Sequence, residues 1–223
     1  GKLETLLTQV AGITGNADID LSKRGLVAMC ADNGVVEEGV TQTGQEVTAI
    51  VAENFLRYDT SVGVMCKQNH AEIFPVDMGM VTDTKVRTDH KVAYGTQNMT
   101  KGPAMTREQA VKGLEAGIDM VRELNDKGYR ILATGEMGIG NTTTSSAVAS
   151  VLLGKRAEEV TGRGAGLSSE GLQRKIRVIR QALEKNRPDP GDVLDVVAKV
   201  GGYDIAGMCG LFLGGAIYRI PVL

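Results

Sequence analysis

The apolar run Tyr129-Arg130-Ile131-Leu132-Ala133 passes through the glycine-rich turn Thr134-Gly135-Glu136-Met137-Gly138-Ile139-Gly140 into a helix-like stretch that begins at Asn141. A strand that ends in glycines and hands over directly to a helix is a junction of α/β folds. It also aims backbone N–H groups at one point, where they suit an anion or a sugar phosphate. The spacing from Gly135 to Gly140, followed by Asn141 and Thr142, imitates a P-loop. That mechanism needs a lysine on the β/γ-phosphates where Asn141 stands, so an NTPase is excluded. Glu136 sits inside the turn and would repel a phosphate unless it faced another part of the ligand, which suggests contact with a base. The same glycines also suit tight strand-helix packing with no ligand at all.

Other short apolar runs have strand length: Leu26 to Cys30, Ser61 to Met65, and Ala71 to Val76. Continuous rather than alternating hydrophobicity points to burial on both faces, as in parallel sheets. Helical patterns lie between them. From Thr106 to Lys127 apolar residues recur every three or four positions, with Gly128 as a stop, and from Ser168 to Lys185 the pattern repeats behind Ser168 as N-cap. The alternation predicts one α/β core over 1–223, a parallel sheet with helices on both faces. Val81 to Thr106 breaks the alternation as a polar excursion, and Pro188-Asp189-Pro190-Gly191 reads as a turn between helices. Arg219 to Leu223 reads as a strand, and Lys2 to Leu7 as a helix, so both ends look cut from something longer.

A net charge of -2 offers no basic field for nucleic acid or an anionic membrane, and 4% aromatic residues with no Trp offer no stacking platform. Cys30, Cys66 and Cys209 are far apart and odd in number, which fits neither a disulfide framework nor zinc spacing and points to the cytoplasm. The longest apolar run, Ile205 to Ile217, is shorter than the roughly 20 residues of a membrane helix. Its glycines permit close helix-helix approach, either inside the chain or in a homodimer.

In an open parallel sheet, ligands bind beyond the carboxyl ends of the strands. Three such ends carry chemistry here: Asp32, which also suits a backbone cap, in the polar loop that continues through Thr41, Gln42 and Gln45; Asp77, which also suits a turn; and the Glu136 turn. A fourth place is Thr161-Gly162-Arg163-Gly164-Ala165-Gly166, glycines before a helix that bears Lys175. Glycines before a helix N-terminus make an anion nest, and Lys175 would add a charge if it turned inward instead of into solvent. His70 and His90 have no partners at metal-ligand spacing and read as surface residues; no metal site is expected.

The run Gly135-Glu136-Met137-Gly138-Ile139-Gly140-Asn141-Thr142-Thr143 resembles the hallmark of the nicotinate-nucleotide:dimethylbenzimidazole phosphoribosyltransferase family. The resemblance extends through Ala31-Asp32-Asn33-Gly34-Val35, Val76-Asp77-Met78-Gly79, Tyr94-Gly95-Thr96-Gln97-Asn98, Gly102 to Arg107, Gly162 to Gly166 and Gly201 to Ala206. It implies a Rossmann-like homodimer that transfers phosphoribose from nicotinate mononucleotide to 5,6-dimethylbenzimidazole, without metal or other cofactor. Glu136 would be a supporting carboxylate beside a base. Substrate would be held by Thr41, Gln42, Gln45, Met137, Gly138, Asn141, Gly164, Gly166 and Lys175. The resemblance places the family's general base, and a further stretch of about a lobe's size, beyond Leu223, and implies little turnover by these 223 residues alone. Asn33 departs from the family's usual histidine, and Thr43-Gly44 from a Tyr-Pro seen in many members. The competing expectations are a related transferase using another azole or purine base, and a module that binds a nucleotide without turning it over.

Overall fold

The computed structural model describes residues 1–223. Three strands, β1 (Arg24–Ala31), β2 (Ala71–Gly79) and β3 (Ile131–Met137), form one sheet in the order β2-β1-β3, with both pairings parallel. The helices are α1 (Lys2–Thr14), α2 (Glu46–Arg57), α3 (Ser61–Gln68), α4 (Arg107–Asp126), α5 (Asn141–Leu152), α6 (Ala157–Val160), α7 (Ser169–Asn186), α8 (Val193–Val200) and α9 (Tyr203–Tyr218). None is long and apolar enough to cross a membrane.

The central strand shows why its run is continuously apolar. Val27, Met29 and Ala31 belong to a core that includes Met120, Val121 and Leu124 of α4 and Ala206 and Leu211 of α9. Ala28 and Cys30 point the other way, into a core with Ala49, Ala52 and Phe55 of α2 and Cys66 of α3. With side chains alternating in direction and both faces covered, every position is apolar. The expected α/β sheet with helices on both faces is the observed one. α4 and α9 cross so closely that a Cβ on Gly117 or Gly210 would collide with the partner helix backbone. That contact uses the glycines of the apolar run 205–217 inside the chain.

A third core joins Ala147 of α5, Ala157 of α6, Ile176 and Ile179 of α7 and Val196 and Val200 of α8, with Val35 and Val40 from the loop after β1. The site described below lies where this helical cluster meets the carboxyl ends of the strands.

The helical stretches expected from Thr106 and from Ser168 are α4 and α7. Thr106 caps α4 by accepting from Gln109 N–H at 3.1 Å, and the Gln109 side chain accepts from Thr106 N–H at 2.9 Å, a reciprocal capping box. Ser168 caps α7, accepting from Gly171 N–H at 3.0 Å. Ser61 to Met65 is a correction: the run is the start of α3, not a strand. Thr60 Oγ1 accepts from Gly63 N–H at 3.0 Å and caps a helix that buries Gly63 and Cys66, three residues apart, so its period is helical. Arg219 to Leu223 makes only a brief parallel pairing beside β3, through Leu132 and Val222.

Candidate functional site

β3 ends by carrying Glu136 and Met137 to the edge of the sheet, Glu136 opposite Met29 of the central strand. The chain then turns through Gly138, Ile139 and Gly140, and α5 starts at Asn141. Gly140 has φ 94°, a left-handed conformation that suits glycine, and a Cβ there would also press on Val36 at 2.9 Å. The turn is held from three sides. Asn141 N–H donates to Gly138 O at 2.9 Å, Ile139 N–H donates to Thr48 Oγ1 of α2 at 3.0 Å, and Gly138 leaves no room for a Cβ against Ala31 O and Asp204 Oδ2.

Asn141 Nδ2 donates to Glu136 Oε2, so the amide at the head of α5 orients the carboxylate at the end of β3. Burial raises the Glu136 pKa above the usual glutamate value, and the Asn141 bond works against that rise. Glu136 is thus a half-buried carboxylate with a neutral partner, able to accept a ring N–H.

Beside Asn141 lies a cavity of about 240 Å³ whose lining includes Thr41, Gln42, Asn141, Thr142, Arg163 and Lys175. Lys175 is 1% exposed, having turned inward from the second turn of α7. Its Nζ donates to Thr142 Oγ1 at 2.7 Å and to Gly162 O at 3.3 Å. Desolvation lowers its pKa, and no anionic group counters that effect. A buried ammonium facing a cavity without a carboxylate partner favours an anionic ligand. Gly164, at φ 58°, lies over this pair: a Cβ there would meet Thr142 Oγ1 at 2.8 Å and Lys175 Nζ at 3.5 Å. Gly166 O accepts from Gln42 Nε2 at 2.6 Å, which closes the rim.

The structure therefore brings Thr41, Gln42, Asn141, Gly164, Gly166 and Lys175 together, with Glu136 linked through Asn141. Gly138 is the hinge of the turn rather than cavity wall. Met137 packs against the α2-side core, and Gln45 stands at the N-cap of α2. Thr142 and Arg163 are wall residues that residue type alone did not single out. Arg163 is tethered by Nη1 to Leu167 O at 2.7 Å and by Nη2 to Ser169 Oγ at 3.0 Å. The Gly-Arg-Gly context was its signal, and Thr142 showed none beyond lying in the first turn of α5.

The other marked strand ends bind backbone. Asp32 Oδ2 accepts from Val81 N–H at 2.8 Å. Asp77 Oδ1 accepts from Met80 N–H at 2.8 Å, and Lys91 Nζ lies 3.1 Å from Asp77 Oδ2, an ion pair that pins the excursion 81–106 against β2. His70 is exposed and His90 lies 3.9 Å from Asp89 Oδ2. No three His, Cys, Asp or Glu side chains gather at metal-binding distance.

A family model described as phosphoribosyltransferase matches residues 1–223. The chain is 48% identical to a nicotinate-nucleotide–dimethylbenzimidazole phosphoribosyltransferase of Clostridium tetani and 49% identical to one of Acetivibrio thermocellus. In each case all of this chain is covered, with 62% and 64% of the relative. The chain thus spans somewhat less than two thirds of the length of these curated relatives. In three dimensions it is similar to the crystal structure of CobT from Thermus thermophilus, with a TM-score of 0.92 at 37% identity over 100% of this chain and 67% of that one.

Proposed function

The chain belongs to the nicotinate-nucleotide–dimethylbenzimidazole phosphoribosyltransferase family, and on that premise we propose that its site holds the phosphoribosyl group of nicotinate mononucleotide for transfer to 5,6-dimethylbenzimidazole. The observation that carries this reading is Lys175, a buried ammonium with no carboxylate partner, aimed with Thr142 at a cavity of about 240 Å³.

In this reading the 5′-phosphate lies against Lys175, Thr142 and the Gly164 to Gly166 loop, with Gln42 and Thr41 at the rim. The ribose then extends over Asn141 and the glycine turn, and the bases lie toward Glu136. The C1′–N bond to nicotinate breaks with its electron pair leaving on nicotinate. A benzimidazole nitrogen forms the new bond from the opposite face, and the other ring nitrogen loses its proton to a base. Glu136 orients the azole by accepting its N–H, and the positioned phosphate fixes the sugar, so the chain's contribution is alignment and charge placement. No cofactor enters this scheme.

We further assign a homodimer in the cytoplasm. α1 has no buried residue and carries Leu3, Leu6, Leu7 and Ile13 exposed, and α9 exposes Phe212, Leu213 and Ile217. Such stripes are the usual material of an interface. The three cysteines are free, which suits a reducing compartment.

Titration of the isotope-labelled chain with α-ribazole 5′-phosphate tests the site. Shifts should concentrate in residues 136–142 and 162–175, and absence of shifts there would overturn the reading. Displacement by adenine as readily as by benzimidazoles would instead assign a transferase of different base preference.

A further inference from the structure

Asp204, the second residue of α9, is fully buried directly beneath the glycine turn. A β-carbon on Gly138 would meet its Oδ2 at 2.5 Å, so the carboxyl and the turn are in contact. The structure gives its oxygens two donors: Ile205 N–H to Oδ1 at 2.9 Å and Asn33 Nδ2 to Oδ2 at 3.4 Å. No salt bridge involves it, and its titratable neighbours are Glu136 on β3 and the Cys30 thiol on β1. Asn33 is buried too, and its Oδ1 has no hydrogen-bond partner. Asp204 Oδ1 and Asn33 Oδ1 converge on one spot, since a β-carbon on Gly202 would collide with both. The amide nitrogen thus stands 3.4 Å from one carboxyl oxygen, and the amide oxygen and the other carboxyl oxygen border the same point beside Gly202.

We propose that Asp204 and Asn33 form a neutral acid–amide pair, Asp204 Oδ1–H donating to Asn33 Oδ1 while Asn33 Nδ2 donates to Asp204 Oδ2, and that this pair positions the turn carrying Glu136, Gly138 and Asn141. The orphaned amide oxygen gains its donor only if the carboxyl keeps its proton, and a buried acceptor left without one is costly. Burial and, behind it, the Glu136 charge push the Asp204 pKa up to about 7, against the opposing pull of the Ile205 N–H at the head of α9. A neutral pair keeps a second negative charge away from Glu136, which is free to be the carboxylate that meets the ligand. Asp204 touches no substrate and acts through the turn. Its consequence for phosphoribosyl transfer rests on the reading above, whereas the pair itself does not.

The test is a carboxyl-carbon NMR titration of the 223-residue chain, with amide shifts followed in parallel. Asp204 should carry a protonated signature at about pH 5.5 and titrate with a midpoint near 7, and the amides of Gly138 and Ile139 should move with the same midpoint. An Asp204 ionised at that acid pH, or turn amides indifferent to its midpoint, would overturn the proposal. Asn33→Asp should lower the melting temperature at about pH 8 by setting two carboxyls face to face. Combining it with Asp204→Asn exchanges the acid and amide and should restore the melting temperature of the parent. A double variant that melts like Asn33→Asp alone would overturn the pairing. If the single variant does not fold, recovery of folding in the double supports the pairing and failure to recover it overturns the pairing. Affinity for nicotinate mononucleotide should fall above the midpoint in the parent more than in Asp204→Asn; equal pH dependence would remove the positioning role. A parent that binds no nicotinate mononucleotide at any pH would defeat the transfer reading, with the titration and the exchange still judging the pair.

Discussion

Lys175 on α7 donates to Thr142 on the first turn of α5 at 2.7 Å, so one buried cation joins the glycine turn after β3 to the glycine loop before α7. These two loops are 135–140 and 162–166 in sequence, and the buried cation bonds to both sides. The ammonium uses Thr142 Oγ1 and Gly162 O as acceptors and is left with one proton and its full charge for a ligand.

Replacing Lys175 with Met should therefore affect binding much more than folding. A charge-assisted bond to phosphate contributes about 1.5–3 kcal/mol, or about 10- to 100-fold in affinity. Isothermal titration with nicotinate mononucleotide should show that loss, whereas the dephosphorylated riboside should bind parent and variant alike. Thermal stability should hold or rise, because an unpaired buried charge is replaced by an apolar chain of similar length.

The glycine turn is sterically specified. Gly138→Ala sets a β-carbon against Ala31 O, Asp204 Oδ2 and Asn33 Nδ2, and the first of these is backbone that cannot swing away. A loss of about 1–3 kcal/mol in urea unfolding is expected, as for other overpacked sites. Gly135→Ala, three residues earlier, meets nothing within 4 Å and should cost far less. Equal losses at the two positions would show that backbone freedom rather than space sets the requirement.

Much of the fold was readable from residue types. The continuous apolar runs at 26–30 and 71–76, and the end of the run 129–133 from Ile131 on, are strands because parallel sheets are buried on both faces, and that physical reason is visible in the pattern. The run 61–65 misled for an equally physical reason: a short apolar run has no period of its own, and the Thr60 cap and Cys66 that make it α3 lie outside it. In the site, Lys175 could be placed near a glycine nest by spacing, but its inward rotation depends on the α5 to α8 cluster, which no local pattern encodes. Asp204 was part of a recognisable motif, yet its contact with Asn33 spans 171 positions and emerges only when α9 docks against β1.

The neutral Asp204 has a stability signature of definite sign. Its pKa is raised from 3.8 unfolded to about 7 folded, so its contribution is fully present below about pH 4 and is lost as pH rises through 7. The largest possible effect, at about 1.4 kcal/mol per pH unit, is about 4 kcal/mol. Glu136 and Asp32, raised by burial, tilt the curve the same way, while Asp89 and Glu123, lowered by Arg87, tilt it oppositely. The informative quantity is thus the difference between parent and Asp204→Asn in urea unfolding from about pH 4 to 8. The parent should lose stability relative to the variant as pH rises, and a difference that stays constant would mean that Asp204 is ionised throughout.

Glu136 supplies the last prediction, because its charge state should govern which ring binds. A carboxylate accepts an azole N–H in a charge-assisted bond, and a protonated carboxyl accepts it only as a weaker neutral oxygen, so ionised Glu136 is the form that best orients 5,6-dimethylbenzimidazole. Burial raises its pKa above the usual value for glutamate, and affinity for the azole should accordingly weaken as pH falls through that raised value. Glu136→Gln keeps the length of the side chain and an acceptor oxygen for Asn141 Nδ2, but has no charge to lose. Its binding should be weaker at neutral pH by about 10-fold, the scale of a hydrogen bond to a charged group. Titrating the azole itself weakens both proteins at low pH, so Glu136 is read from the excess dependence of the parent over Glu136→Gln. Parallel curves with no excess would place the base elsewhere, and would leave Glu136 as a partner of Asn141 that shapes the turn.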